Sequence, residues 1–102
     1  MFKITTDKVK ELFDAIDLDY IIETDKVKTT TVYEDAVKIG TVSIDLTVNV
    51  ILDHHDNGID FDKLILDIKV FDEGEEIPYK LVSQNDFLNM FDRLEAEIKG
   101  RL

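Results

Sequence analysis

The chain has 102 residues, with 23 Asp and Glu against 12 Lys and Arg, a formal net charge of −11 and no Cys. This charge disfavours direct binding to nucleic acid or to an anionic membrane surface, and the lack of Cys excludes disulfides and thiolate metal sites. Because 44% of the residues are hydrophobic, the composition is that of a folded protein. We therefore expect one acidic domain over residues 1–102, located in the cytoplasm, with no leader peptide and no membrane span.

The first predicted element is an amphipathic helix from Asp7 to about Asp17. Thr6 is its predicted N-cap. The spacing i, i+3, i+4 and i+7 places its apolar residues on one helix face, and these are Val9, Leu12, Phe13 and Ile16.

Period-two patterns then predict strands. Residues 42–52 and 64–70 alternate apolar and polar side chains, and an antiparallel register pairing position 52 with 64 and position 46 with 70 puts the apolar ones on one face. Residues 53–63 are then a loop, with Asn57-Gly58 as its turn signal. An earlier strand is predicted at 26–34, with a bulge at Gly40, and a short edge strand at 79–82 after Pro78.

A second helix is predicted near the C-terminus. Ser83 and Asp86 have the spacing of a capping box, and Gly100 marks the end of the helix. The apolar stripe of this helix consists of Phe87, Phe91, Leu94 and Ile98.

These elements predict an α+β fold of order α-β-β-β-α, an antiparallel meander of three to four strands with both helices on one face. The other face of the sheet is then open. Its predicted side chains are the polar Asp45, Thr47, Asn49, Asp67 and Lys69 and the apolar Ile51, Ile65 and Phe71. The open face and the edge strands leave a homodimer as an option.

The acidic residues concentrate in two stretches that the meander is expected to bring to one end. Residues 11–25 contain no Lys or Arg, and the 53–63 loop has four Asp, with Lys63 only at its far edge. The predicted partner-binding residues are Glu11, Asp14, Asp17, Asp19, Glu23, Asp25, Asp53, Asp56, Asp60 and Asp62. A second group is expected at the opposite end: Glu34, Asp35, Asp72, Glu73, Glu75 and Glu76.

Alternate carboxylates on a strand lie about 6.6 Å apart, which approaches the charge density of a nucleic-acid backbone. The chain is therefore expected to be an acidic protein-binding module that mimics nucleic acid and blocks the basic groove of a DNA- or RNA-binding protein. In size, charge and expected architecture it resembles the small acidic inhibitors encoded by phages: uracil-DNA glycosylase inhibitors, anti-restriction proteins and some anti-CRISPR proteins. This resemblance implies a role in anti-defence or host takeover, and it carries over no residues.

The sequence supports a catalytic or metal-binding function less well. Asp53-His54-His55 resembles the DHH signature of phosphoesterases that bind Mn²⁺, but the further aspartate motifs of that family are missing. As a calcium loop, the segment has Leu64 at the twelfth position, where Glu is required. We therefore assign no catalytic residue, cofactor or metal site and expect no enzyme. Two alternatives stay open: a self-associating accessory domain, and a weak divalent-cation-binding domain on the Asp53–Asp62 loop.

Overall fold

A computed structural model describes all 102 residues and contains three helices and six strands, which confirms the α+β class. In chain order the elements are β1 (Phe2–Ile4), α1 (Thr6–Asp14), α2 (Leu18–Asp25), β2 (Thr30–Ile39), β3 (Val42–His55), β4 (Gly58–Asp72), β5 (Glu75–Ile77), β6 (Tyr79–Leu81) and α3 (Gln84–Gly100). None of the helices is long and apolar enough to cross a lipid bilayer.

The main sheet is a four-stranded antiparallel meander of order β2-β3-β4-β5. The helices cover one of its faces, where alternate residues of β3 such as Leu46 and Val48 are at most 1% exposed and join helix residues such as Leu12 and Ile98 in one core cluster. The predicted strand at Tyr79 exists, but it is not an edge of this sheet. It pairs in parallel with β1 in a separate two-stranded sheet.

The helical layer differs from the expectation at its N-terminal part. The first helix ends at Asp14, and α2 follows where the sequence suggested the approach to a strand. The Asp17 carboxylate caps α2 by accepting a hydrogen bond from the Tyr20 backbone N–H at 3.0 Å. Thr5, not Thr6, caps α1, because the Thr5 hydroxyl accepts a hydrogen bond from the Lys8 backbone N–H at 3.4 Å. Thr6 is the first residue of the helix, and its hydroxyl donates to Asp86 on α3 at 2.9 Å.

The first strand of the main sheet begins later than predicted. β2 covers Thr30–Ile39 rather than residues 26–34, because α2 and the turn after it occupy the chain as far as residue 29. Gly40 is not a bulge. It adopts a positive φ of 60° in the two-residue turn that joins β2 to β3, a conformation that favours glycine.

The predicted loop at 53–63 is wrong, because β3 and β4 stay paired up to His55 opposite Gly58. Asp56 and Asn57 form the turn of this hairpin, next to the Asn57-Gly58 signal. Position 46 pairs with 68 and position 50 with 64, a register two residues from the predicted one. A shift of two preserves the faces, so the separation of buried and open side chains is confirmed.

The C-terminal helix is confirmed. Its N-cap is Ser83, whose hydroxyl accepts from the Asp86 backbone N–H at 3.2 Å. Leu94 and Ile98 are buried on its inner stripe. The edge-to-face contact of Phe87 with Phe13, with ring centroids 5.7 Å apart, joins α3 to α1.

Candidate partner-binding surface

The acidic residues of the first stretch lie on α1, on α2 and at the turn between them. Glu11, Asp14, Asp17, Asp19 and Glu23 are exposed, and we call these five the helical acidic group. Two of them are engaged in ion pairs: Glu11 with Lys8 at 2.9 Å, and Asp19 with Arg101 at 2.7 Å. The group therefore presents carboxylates on the helical layer, on the far side of the sheet from its open face.

The prediction that Asp25 contacts a partner is wrong, because this residue is fully buried. It is the last residue of α2, and its carboxylate accepts a hydrogen bond from the Thr31 hydroxyl of β2. The Oδ2 atom has no hydrogen-bond partner. Burial raises the pKa of the Asp25 carboxyl from 3.8 to about 6, and the electrostatic interaction with His54 opposes part of this rise.

The other four predicted residues, Asp53, Asp56, Asp60 and Asp62, are exposed on the β3–β4 hairpin, and we call them the hairpin acidic group. Asp53 and Asp60 are cross-strand partners. Because the preceding residue Leu52 is buried, side-chain alternation puts Asp53 and its partner on the open side of the sheet. Asp62 lies at the register shift between β3 and β4.

The two histidines of the hairpin point to opposite sides. The His54 ring hydrogen-bonds the Lys28 carbonyl oxygen through Nε2 at 3.0 Å, which ties the hairpin to the turn after α2. His55 Nε2 lies 2.7 Å from the Asp60 carboxylate. The side chains of Asp53-His54-His55 therefore do not converge as metal ligands would, and no group of three or more His, Asp and Glu could hold an ion.

The helical and hairpin acidic groups belong to different layers of the molecule, the first to α1, α2 and the turn between them, the second to the β3–β4 hairpin. The basic last turn of α3 contacts both regions, since Arg101 pairs with Asp19 on α2 while the Lys99 ammonium lies 5.1 Å from the ring centroid of Phe61 on β4. The partner-binding residues predicted from the sequence thus come from two layers that the C-terminal end of α3 links.

The second predicted group is also divided. Asp72, Glu73, Glu75 and Glu76 lie at the β4–β5 turn, as expected. Glu34 and Asp35, however, lie in the middle of β2, where they pair with Thr47 and Leu46 of β3. The late start of β2 moves them away from the end of the sheet.

The open face holds an acidic surface that the prediction of site residues missed. Glu34, Thr47 and Asp67 form one row across β2, β3 and β4, and Asp45 lies in the next row. These side chains line a shallow concavity of about 400 Å³, together with Lys69 and Phe71. Side-chain alternation indicated that Asp45 and Asp67 share the open face, but only the correct register puts Glu34 beside them.

Few of the acidic side chains are neutralised within the molecule. Of the 23 Asp and Glu, those with a basic group within 4.0 Å are Glu11, Asp19, Asp60, Glu95 and Glu97. Asp25 is the one buried carboxylate. The negative charge of the sequence is therefore displayed to solvent as free carboxylates.

Comparison with protein-family models, with curated proteins and with solved structures found no match to this chain. A function is therefore inferred from the geometry and charge of the surfaces described above.

Proposed function

We propose that this chain is an acidic protein-binding domain that docks on the basic groove of a DNA- or RNA-binding protein and competes there with nucleic acid. The observation that carries the proposal is the large excess of carboxylates without an ionic partner, held on the helices and on a paired sheet. Free surface carboxylates attract a basic partner and accelerate its association. A nucleic acid or an anionic membrane would repel the same carboxylates.

The rigidity of the scaffold supports mimicry. The β3 and β4 strands pair over almost their whole length, and the molecule measures 48 Å along its longest axis. Glu34 and Asp67 lie two strands apart, or about 9.6 Å at the usual strand separation, and Asp45 is in the neighbouring row. Carboxylates held within about one Debye length of one another act together on a partner, as phosphates do.

The test is a capture experiment with the immobilised full chain and a cell lysate. The proposal predicts that nucleic-acid-binding proteins are retained, that double-stranded DNA or RNA displaces them, and that roughly 0.3 M salt releases them. Retained proteins that do not bind nucleic acid, or retention insensitive to both competitor and salt, would contradict the proposal.

Two variants of equal charge show which acidic group contributes. One replaces Asp53, Asp56 and Asp60 with Asn. Its matched control replaces Glu11 and Glu23 with Gln and Asp14 with Asn, and spares Asp17 because that residue caps α2. Both variants are expected to weaken capture, the hairpin variant more strongly because Asp53 and Asp60 adjoin the open face.

A further inference from the structure

The open face of the sheet combines charge with exposed apolar side chains, which a purely electrostatic surface does not need. Val32 is 51% exposed and Ile65 is 44% exposed. Both flank Asn49 in one row across β2, β3 and β4, and Ile51 lies in the next row. These residues form an apolar strip, in which Lys63 is the cross-strand partner of Ile51; Phe71, opposite Ser43, is a further apolar side chain on this face.

The acidic row lies directly beside this strip. Successive rows on one face of a sheet are about 6.6 Å apart, so Glu34 and Asp67 stand one row from Val32 and Ile65. Asp45 stands one row further along. No ion pair neutralises Glu34, Asp45 or Asp67, although Lys69 is the cross-strand partner of Asp45.

A polar group without a partner lies at the centre of the strip. The Asn49 Oδ1 atom is screened from solvent and accepts no hydrogen bond. An acceptor in this state lowers the stability of the free protein. Because the atom has no access to solvent, it is not a contact point for a bound molecule, and the docking surface consists of the exposed apolar and acidic side chains around Asn49.

We propose that the open face of the sheet binds an amphipathic basic helix of the partner protein, laid across the strands. Such a helix is about 10–12 Å wide and covers two adjacent rows. Its apolar stripe contacts Val32 and Ile65, and its Lys or Arg side chains contact Glu34 and Asp67 in the adjacent row. Ile51 and Asp45 flank these two rows, and the carboxylate of Asp45 adds to the negative potential that attracts the basic side chains. This inference rests on the proposed function and names the partner element and the surface that receives it.

Charge complementarity distinguishes this occupant from a second copy of the chain. Two copies each carry a net charge of −11, and stacking their open faces would bring unpaired carboxylates together. Like charges placed against one another across an interface are strongly unfavourable. A basic helix instead places positive charges against these carboxylates, so the interaction across the interface is attractive.

The test is a titration of the ¹⁵N-labelled full chain with a 14-residue peptide of Lys and Leu whose leucines form one helical stripe. A peptide of the same composition with scrambled leucines is the control ligand. The proposal predicts that amide shifts concentrate on β2, β3 and β4 of the open face, and that the striped peptide binds more tightly. The triple variant Glu34→Gln, Asp45→Asn and Asp67→Asn should lose about tenfold in affinity.

The matched control is the helical variant Glu11→Gln, Asp14→Asn and Glu23→Gln, which removes the same charge and should lose much less. Equal losses in the two triple variants, with shifts spread over the molecule, would overturn the inference while leaving the proposed function intact. If neither peptide binds at low salt, the proposed function fails as well. Dimerisation of the free chain through the open face, seen by sedimentation, would also overturn the inference.

A second variant guards against a loss of folding in the triple variant. Val32→Thr with Ile65→Thr keeps the β-branched shape that strands favour but removes apolar contact. It should weaken binding of the striped peptide by about threefold to tenfold and leave binding of the scrambled peptide unchanged. The loss should persist at 0.5 M salt, because apolar burial is not screened. An unchanged affinity for the striped peptide would contradict the apolar contact.

Discussion

Aspartate residues have different environments on the two sides of the main sheet. On the covered face, Asp25 is sealed between α2 and β2, and burial raises the pKa of its carboxyl. On the open face, Asp45 is only partly buried and accepts a hydrogen bond from Ser43 at 2.6 Å. An aspartate therefore opposes folding when it must be charged under the helices, and is available to a partner when the sheet holds it toward solvent.

The largest expected effect comes from truncating an apolar residue of the covered face. Leu46, 1% exposed, packs in the core. Leu46→Ala should lower the free energy of unfolding by about 2–5 kcal/mol, because it removes buried contacts and leaves a cavity. Thr47→Ala, one residue further on the open face, should change it by about 0.5 kcal/mol or less. Urea denaturation of both variants measures the contrast, and equal losses would refute the assignment of the two faces.

Asp25 makes the free energy of unfolding depend on pH. Because the pKa of Asp25 is raised in the folded protein, the stabilisation that comes from its neutral carboxyl is fully present below pH 3.8 and is lost as the pH rises through about 6. Asp25→Asn mimics the neutral carboxyl and should be more stable than the wild type at pH 8. The gain should be at most about 3 kcal/mol, at about 1.36 kcal/mol for each pKa unit.

The same comparison should show little difference near pH 4, where the wild-type carboxyl is also neutral. Asp53→Asn is the matched control, because this exposed carboxylate on the hairpin should leave the pH dependence of the wild type in place. Denaturant midpoints measured between pH 4 and pH 8 give the result. A variant Asp25→Asn that loses stability at pH 8 would show that the carboxylate is compensated by a contact other than Thr31.

The smallest expected effect concerns the open face without a ligand. Asn49→Val removes an acceptor that has no partner and adds a β-branched residue to a strand, so it should raise the free energy of unfolding by about 1 kcal/mol. Thr47→Val is the control and should raise the free energy of unfolding by only a few tenths of a kcal/mol. Thermal unfolding of the two variants provides the measurement. A loss of stability in Asn49→Val would mean that Oδ1 is satisfied in solution.

Much of the fold could be predicted because local patterns agreed with it. The Ser83 cap and the apolar stripe of α3 lie within one short segment, and alternation in β3 assigned each of its side chains to a face without any knowledge of the register. Helix α2 was not predicted, because its strongly acidic segment was interpreted as the approach to a strand. The apolar spacing of Leu18, Ile21 and Ile22 behind the capping residue Asp17 was the available signal.

The candidate site was harder to predict, since its members come from separate strands. The two-residue turn at Asp56-Asn57 and the extra residue at Asp62 together set the pairing of β3 with β4. Neither the bulge nor the late start of β2 has a clear sequence signal. Without them, Glu34 could not be placed beside Asp45 and Asp67, and Asp25 could not be distinguished from the exposed acids near it.

The amino-acid sequence by itself determined the excess of negative charge, the helix and strand periodicities, and which side of each strand is apolar, because these properties depend on composition and on neighbours close in the chain. Only the tertiary structure decided which carboxylates share a surface and which one is buried. That decision depends on register and on packing between distant segments, where a displacement of one turn or one bulge moves a charge from one neighbourhood to another.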